Sequence, residues 1–171
     1  VQFALDREVK WEPGGQFVYC SPAIHLLSPI LQQATDMTAL DFAHQYLFEP
    51  LGIRDVLWLT DPQGYNRGSE DIYLHPHDMA KLGYLWLSNG VWEGEQVVSS
   101  EWVESSVKPL MQVGTNHYYG YGWWVSTDAP GAYNADGRGG QHIAVVPAWN
   151  LIAVTTGGGL AWEEIIPLIL E

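Results

Sequence analysis

Trp11-Glu12-Pro13-Gly14-Gly15-Gln16-Phe17-Val18-Tyr19-Cys20-Ser21, followed at once by the apolar segment from Pro22 to Ala34, is the stretch that decides the fold. Pro-Gly-Gly is a turn, because proline fixes φ and glycine adopts backbone conformations closed to other residues. The short β-prone run behind it ends at a helix start. Pro22 suits the first helical turn, where its missing N–H costs nothing, and Ser21 just before it can cap. Tyr19 is therefore expected at a rigid element boundary, where a phenol can take part in proton transfer.

Working outward, Ile24, Leu27, Ile30, Leu31 and Ala34 recur at helical spacing. A second helix is expected from Thr38, with Asp41 three residues on as a short-armed capping box. It turns Leu40, Ala43, Tyr46 and Leu47 inward and stops before Pro50, since the residue preceding proline avoids the α region. Residues 54–74 hold Trp58, Asp61, Gly64, Asn66, Arg67 and Gly68 without a sustained period, as a surface excursion or a cleft rim does. A third helix is expected from Pro76 to Ser88, stopped by Asn89-Gly90, and a fourth from Ser99 or Ser100 to a point before Pro109. Residues 1–11 are expected as a loop approaching the core.

After Gly114 the character changes. Tyr118 to Val125 reads as one strand and Ala132 to Ala135 as another. Gln141 to Val146 and Leu151 to Thr156 read as a pair joined across Pro147-Ala148-Trp149-Asn150. Trp162 to Leu170 is expected as a closing amphipathic helix. Helices followed by strands indicate an α+β fold. Its expected division is a tyrosine-motif segment and helical lobe over 1–113, then the C-terminal strands of an antiparallel sheet and a closing helix over 114–171.

The balance of 7 basic against 20 acidic residues, a net charge of −13, repels phosphate backbones and anionic lipid and excludes nucleic acid as a partner. No apolar run approaches the roughly 20 residues that span a bilayer. The one cysteine, Cys20, excludes an internal disulfide. Nine Trp and nine Tyr favour aromatic-lined surfaces or clefts. Val1 is not an initiator and the pattern opens midway, so a piece of a longer protein is expected.

Pro13-Gly14-x-x-Phe17-x-Tyr19-x-Ser21 before a helix resembles the tyrosine motif of the serine β-lactamase-like hydrolases. That family includes class C β-lactamases, penicillin-binding proteins, and related esterases and amide hydrolases. Further likenesses follow in family order: Phe48-Glu49-Pro50-Leu51-Gly52-Ile53, Pro76 to Gly90 continuing through Trp92-Glu93-Gly94, Tyr119 to Val125, and Gly137 to Pro147. The resemblance covers nearly the whole chain and implies the C-terminal part of a β-lactamase/transpeptidase-like fold. It implies a small-molecule ester or amide substrate and no cofactor. In the family a tyrosine at the Tyr19 position helps shuttle the proton of a nucleophilic serine, and many relatives carry Asn where this chain has Ser21.

Gly137-Arg138-Gly139-Gly140-Gln141 resembles the glycine-rich form of the family's third element. Gly137, Gly139 and Gly140 let backbone approach a substrate closely, and the Arg138 N–H is implied as an oxyanion donor. On spacing alone the same cluster is a hairpin bulge. No Lys-Thr-Gly is present, which argues away from true β-lactamase activity. The family's Ser-x-x-Lys places hydroxyl and amine on one helix face. Ser105-Ser106-Val107-Lys108 fits that pattern literally but follows Tyr19, against the family order, and is expected to be structural. The nucleophile is then expected upstream of these residues, leaving the chain alone inactive and prone to self-association through an unpaired sheet edge.

Trp123 and Trp124, with Trp58, Tyr118 and Tyr119, line an acyl pocket or fill an aromatic core. His75-Pro76-His77-Asp78 is a helix start, and no metal is expected. His25 is a packed or half-exposed histidine. Two alternatives stand beside the hydrolase: an inactive binding module on the same fold, and an aromatic-rich carbohydrate-binding domain, against which the long helices argue.

Overall fold

The computed structural model describes residues 1–158 apart from 9, 13, 129 and 130. The expected closing helix, Trp162 to Leu170, lies outside the described residues. The chain divides into two compact units, Val1–His75 and the remainder from Pro76. The architecture is α+β, helices with an antiparallel sheet, as the sequence indicates.

In the first unit, α1 (Gln2–Leu5) occupies part of the stretch expected as loop. One turn is too short to show a period in the sequence. The helix expected after Ser21 is two, α2 (Ser21–His25) and α3 (Leu27–Thr35). Cys20, in extended conformation, holds the cap position without a side-chain bond, and Ser21 is already helical. The break at Leu26 changes the phase of the apolar stripe, so Leu27 and Ile30 are exposed and Ser28 is buried.

Thr38 caps α4 (Ala39–Ala43) as expected. Its Oγ1 accepts the Asp41 N–H at 3.0 Å and donates to Asp41 Oδ2 at 2.7 Å. The ladder then slips by one residue into a π-helical turn, His44–Phe48, with the Glu49 N–H on the His44 carbonyl at 2.9 Å. A π turn inserts an extra residue per repeat. Tyr46, expected inward on an α period, is therefore exposed, while Phe48, Leu51 and Ile53 are fully buried. Two short strands, β1 (Leu57–Trp58) and β2 (Ile72–Tyr73), pair antiparallel and bracket the loop 59–71.

The second unit begins with α5 (Pro76–Leu87), whose first-turn Asp78 pairs with Lys81 at 2.7 Å. Asn89 and Gly90 end it with positive φ. A hairpin of β3 (Val91–Trp92) and β4 (Glu95–Gln96) turns through Glu93 and Gly94, both at positive φ as a tight hairpin turn requires. Ser99 caps α6 (Ser100–Ser106).

Then come β5 (Met111–Gly114), β6 (His117–Tyr119), β7 (Trp124–Ser126), β8 (Tyr133–Gly137), β9 (Gln141–Val146) and β10 (Leu151–Thr156). They form one six-stranded antiparallel sheet in the order β10-β9-β8-β7-β6-β5. The single strand expected over 118–125 is two, β6 and β7. Gly120 passes so close to α6 that any Cβ would collide with the Ser106 carbonyl, and the Tyr121 N–H donates to that carbonyl at 2.9 Å.

α5 packs on β9 and β10. A Cβ at Gly83 would stand 2.8 Å from Ile152 Cγ2 and 3.0 Å from Ile143 Cγ2, so glycine sets this approach of helix to sheet. The core is Trp123, Val125, Tyr133, Ile143 and Val145, flanked by Met79, Leu82 and Trp86. Burial pushes the Tyr133 phenol up to about 12.

Candidate active site

Tyr19 lies just before the extended Cys20 and is exposed, while Ser21 opens α2 and is half-buried. The first unit thus brings these two site residues together on one short segment. The helix behind them has only five residues, too few to be stable by its own hydrogen bonds. Its last residue holds it. His25 Nε2 lies 3.0 Å from Asp61 Oδ2, and the Gly68 N–H donates to His25 Nδ1 at 3.2 Å. A nitrogen that accepts from an amide carries no proton, so the ring proton sits on Nε2 and points at Asp61.

Asp61 is fixed in turn by its own loop. Its Oδ1 accepts the Gln63 N–H at 2.8 Å and the Tyr65 N–H at 3.1 Å. Burial pushes the carboxyl up, but the bonds from His25, Tyr65 and Gln63 outweigh it and hold the pKa at about 2. Asn66, 4% exposed, braces the same loop: Oδ1 accepts the Leu40 N–H and Nδ2 donates to the Trp58 carbonyl, each at 3.1 Å. Trp58 Nε1 donates to the Arg67 carbonyl at 2.8 Å, and the Arg67 guanidinium pairs with Asp71 at 2.6 Å and Glu70 at 3.6 Å. Ser21, Pro22 and His25 share a depression of about 430 Å³ with Asp61, Arg67 and Glu70.

The second unit brings Gly137, Arg138, Gly139 and Gly140 together in the β8–β9 turn. Gly137 pairs with Gln141, the last rung of the ladder, and the Gly140 N–H donates to the Gly137 carbonyl at 3.3 Å. Gly139 and Gly140 have φ of 108° and 89°, where side chains are strained. Thr155 Oγ1 donates to the Gly140 carbonyl at 2.8 Å and the Gly157 N–H donates to it at 3.0 Å. Arg138 sits exposed at the apex, and its N–H donates to no group among the described residues. Such a donor on a rigid glycine turn can meet a developing negative charge. Directly beneath, the cross-strand pair Asp136 and His142 forms a 2.7 Å contact.

Trp123 and Trp124 are adjacent in extended chain and so face opposite ways. Trp123 is buried in the core, 5.3 Å from the Trp86 ring and 5.2 Å from the Tyr133 ring. Trp124 is half-buried and meets Tyr119 edge-on at 4.9 Å. α6 ends at Ser106, so Lys108 lies beyond the helix and the shared helical face that Ser105-x-x-Lys108 would need is absent. Ser106, fully buried, accepts from Trp86 Nε1 at 2.9 Å instead. Among the described residues no group of three or more His, Cys, Asp or Glu is placed to hold a metal ion. Nor, among them, is any helix long and apolar enough to cross a membrane.

The family model described as Beta-lactamase matches residues 1–156. A 6-aminohexanoate-dimer hydrolase from Paenarthrobacter ureafaciens is 26% identical over 151 residues, covering 82% of this chain and 38% of that protein. Among solved structures, a candidate 6-aminohexanoate-dimer hydrolase from Bacillus anthracis aligns with a TM-score of 0.85 at 21% identity, covering 98% of this chain and 45% of its own. An octameric penicillin-binding protein homologue from Pyrococcus abyssi aligns with a TM-score of 0.77 at 18% identity, covering 99% and 46%. The chain spans less than half the length of each of these relatives.

Proposed function

The chain belongs to the beta-lactamase family, and on that premise we propose that it is the C-terminal portion of a serine hydrolase that cleaves an ester or amide. The nucleophilic Ser-x-x-Lys lies outside this chain. The observation that carries this is the glycine turn whose apex Arg138 N–H donates to no group among the described residues. The serine oxygen attacks the carbonyl and its proton passes by way of Tyr19 Oη to the leaving group. The oxyanion takes a hydrogen bond from the Arg138 N–H and a second from the nucleophile's own N–H. Ser21 supports the tyrosine with a shorter reach than an Asn has. Gly137, Gly139 and Gly140 admit the substrate to the backbone, and Trp124 serves the acyl group while Trp123 serves the core.

The test uses the chain extended upstream through a Ser-x-x-Lys, with a chromogenic ester. Arg138→Ala keeps the N–H and retains the greater part of turnover; Arg138→Pro removes it and lowers kcat by about 10²–10³. Equal losses in the two variants would sink the oxyanion assignment. The 171-residue chain by itself shows no turnover that a covalent serine inhibitor abolishes.

A second function, an inactive binding module on the same fold, is favoured by Ser21 in place of Asn and by the absence of Lys-Thr-Gly. Covalent labelling of the extended chain by a fluorophosphonate or penicillin separates the two. Strands β5 and β10 stand at the ends of the sheet order, and pairing of one of them with a second copy belongs to the same proposal. A single monomeric species in sedimentation at every concentration removes that part.

A further inference from the structure

We propose that His25 is the positioning residue of the Tyr19–Ser21 segment, locked as its Nε2–H tautomer between Gly68 and Asp61 and releasing that segment when Nδ1 takes a proton. This rests on the hydrolase assignment above. Tyr19 and Ser21 stand at the mouth of α2, which has five residues and no side-chain cap. His25 is the residue at its far end, and both ring nitrogens are engaged by loop 59–71, whose partner residues lie 36 and 43 positions further along the chain. Gly68 comes so near that a Cβ there would sit 3.3 Å from both His25 Cα and the Ile24 carbonyl. The helix is thus gripped by side chain and backbone together. The grip is as rigid as the loop, which Asn66, Trp58 and Arg67 brace.

The same geometry makes the grip sensitive to protonation. The second proton of an imidazolium must go on Nδ1, and there it would face the Gly68 N–H, donor against donor. The charged groups around the ring are Asp61, Arg67 and Glu70 from the loop. Arg67 is occupied by Asp71 and Glu70, so Asp61 is the carboxylate that meets the imidazolium. A protonated His25 keeps Asp61 and loses Gly68. α2 then loses one of the two bonds its histidine makes to the loop, and the tyrosine at its mouth loses its fixed aim. Since ring position and substrate affinity are separate matters, the loss falls on kcat.

The experiment uses the chain extended upstream through a Ser-x-x-Lys, as wild type, His25→Asn and His25→Ala, with a chromogenic ester over a pH series and ¹⁵N NMR of the histidine rings. The Asn amide oxygen can occupy the Nδ1 position and accept the Gly68 N–H, yet it does not titrate. Expected for His25→Ala is a fall in kcat of roughly tenfold or more with KM within about twofold, the sign of a misplaced group and not of lost binding. His25→Asn recovers part of that loss and lacks the acid-side fall in kcat that wild type shows. The wild-type ring shows a protonated Nε2 and an unprotonated Nδ1. An acid limb identical in wild type and His25→Asn overturns the proposal, and so does an Nδ1–H tautomer. Should His25→Ala fail to fold, His25→Asn and the wild-type NMR still decide it. If the extended wild type neither hydrolyses the ester nor takes a covalent serine probe, the hydrolase assignment fails and positioning falls with it, while the ring NMR reports the grip independently.

Discussion

The turn at Gly137–Gly140 is fixed mainly by main-chain groups: a cross-strand rung, a carbonyl taking the Gly157 amide and one side-chain donor, the Thr155 hydroxyl, and two glycines at positive φ. The loop at 59–71 has main-chain bonds of its own, such as Asp61 N–H to the Tyr65 carbonyl and Arg67 N–H to the Leu59 carbonyl, but is tied down further by side chains: Asp61 collecting amides, Asn66 bridging two segments, Trp58 and Arg67 bonded within it. The turn should therefore tolerate exchange of the side chain at its apex and resist an added Cβ, and the loop should do the reverse. Where backbone makes the bonds, identity matters only through conformational freedom. Where side chains make them, each one is irreplaceable.

The largest effect should come from Asn66→Ala, which strands a half-buried amide and a half-buried carbonyl at once. A loss of about 3 kcal/mol, read from urea unfolding, is expected; a loss under about 1 kcal/mol would mean the loop does not depend on its side chains. Gly140→Ala comes next, at about 2 kcal/mol, because φ of 89° strains any Cβ. An unchanged melting temperature there would break the contrast from the other end.

Asp61 sharpens it through pH. Its pKa is depressed in the folded chain, so its contribution is fully present above the ordinary carboxyl value near 4 and disappears as pH falls through about 2. That contribution is on the order of 2 kcal/mol. Stability measured from neutral to acid pH should decline over that window in wild type and do so less in Asp61→Asn. The smallest effect belongs to Arg138→Ala, within about 0.5 kcal/mol of wild type in the same unfolding assay.

The same contrast explains what could be read from the chain. Glycine clusters, Thr38 with Asp41, and the helix of Met79, Leu82, Gly83 and Trp86 carry their reasons within a few residues, and they stand where the spacing puts them. The antiparallel strands from Gln141 to Thr156 were legible for the same cause. Tyr46 was placed inward, and Leu27 on one helical stripe, by a regular period that the π turn and the break at Leu26 interrupt. Nothing in a 3.6-residue pattern announces an inserted residue. Trp123 and Trp124 look alike in sequence and differ by the side of the chain they face. His25, Asp61 and Gly68 were all in view as separate residues, but a polar grip across 36 and 43 positions leaves no period. Its visible traces were a histidine at the end of an apolar helical run and an aspartate opening a glycine-bearing turn.

The sheet order β10-β9-β8-β7-β6-β5 follows the order of the chain without a crossover. Every strand's partner is the one just made or the one about to be made. Closing a short loop costs little chain entropy, and proteins dominated by near-neighbour pairings reach their native arrangement quickly. This half of the protein can therefore zip up strand by strand as it leaves the ribosome, with α5 already formed and waiting to be covered by β9 and β10. Its rate should depend on hairpin turns such as Pro147–Asn150, and a slow search for remote partners would be confined to whatever must grip from a distance, as His25 does.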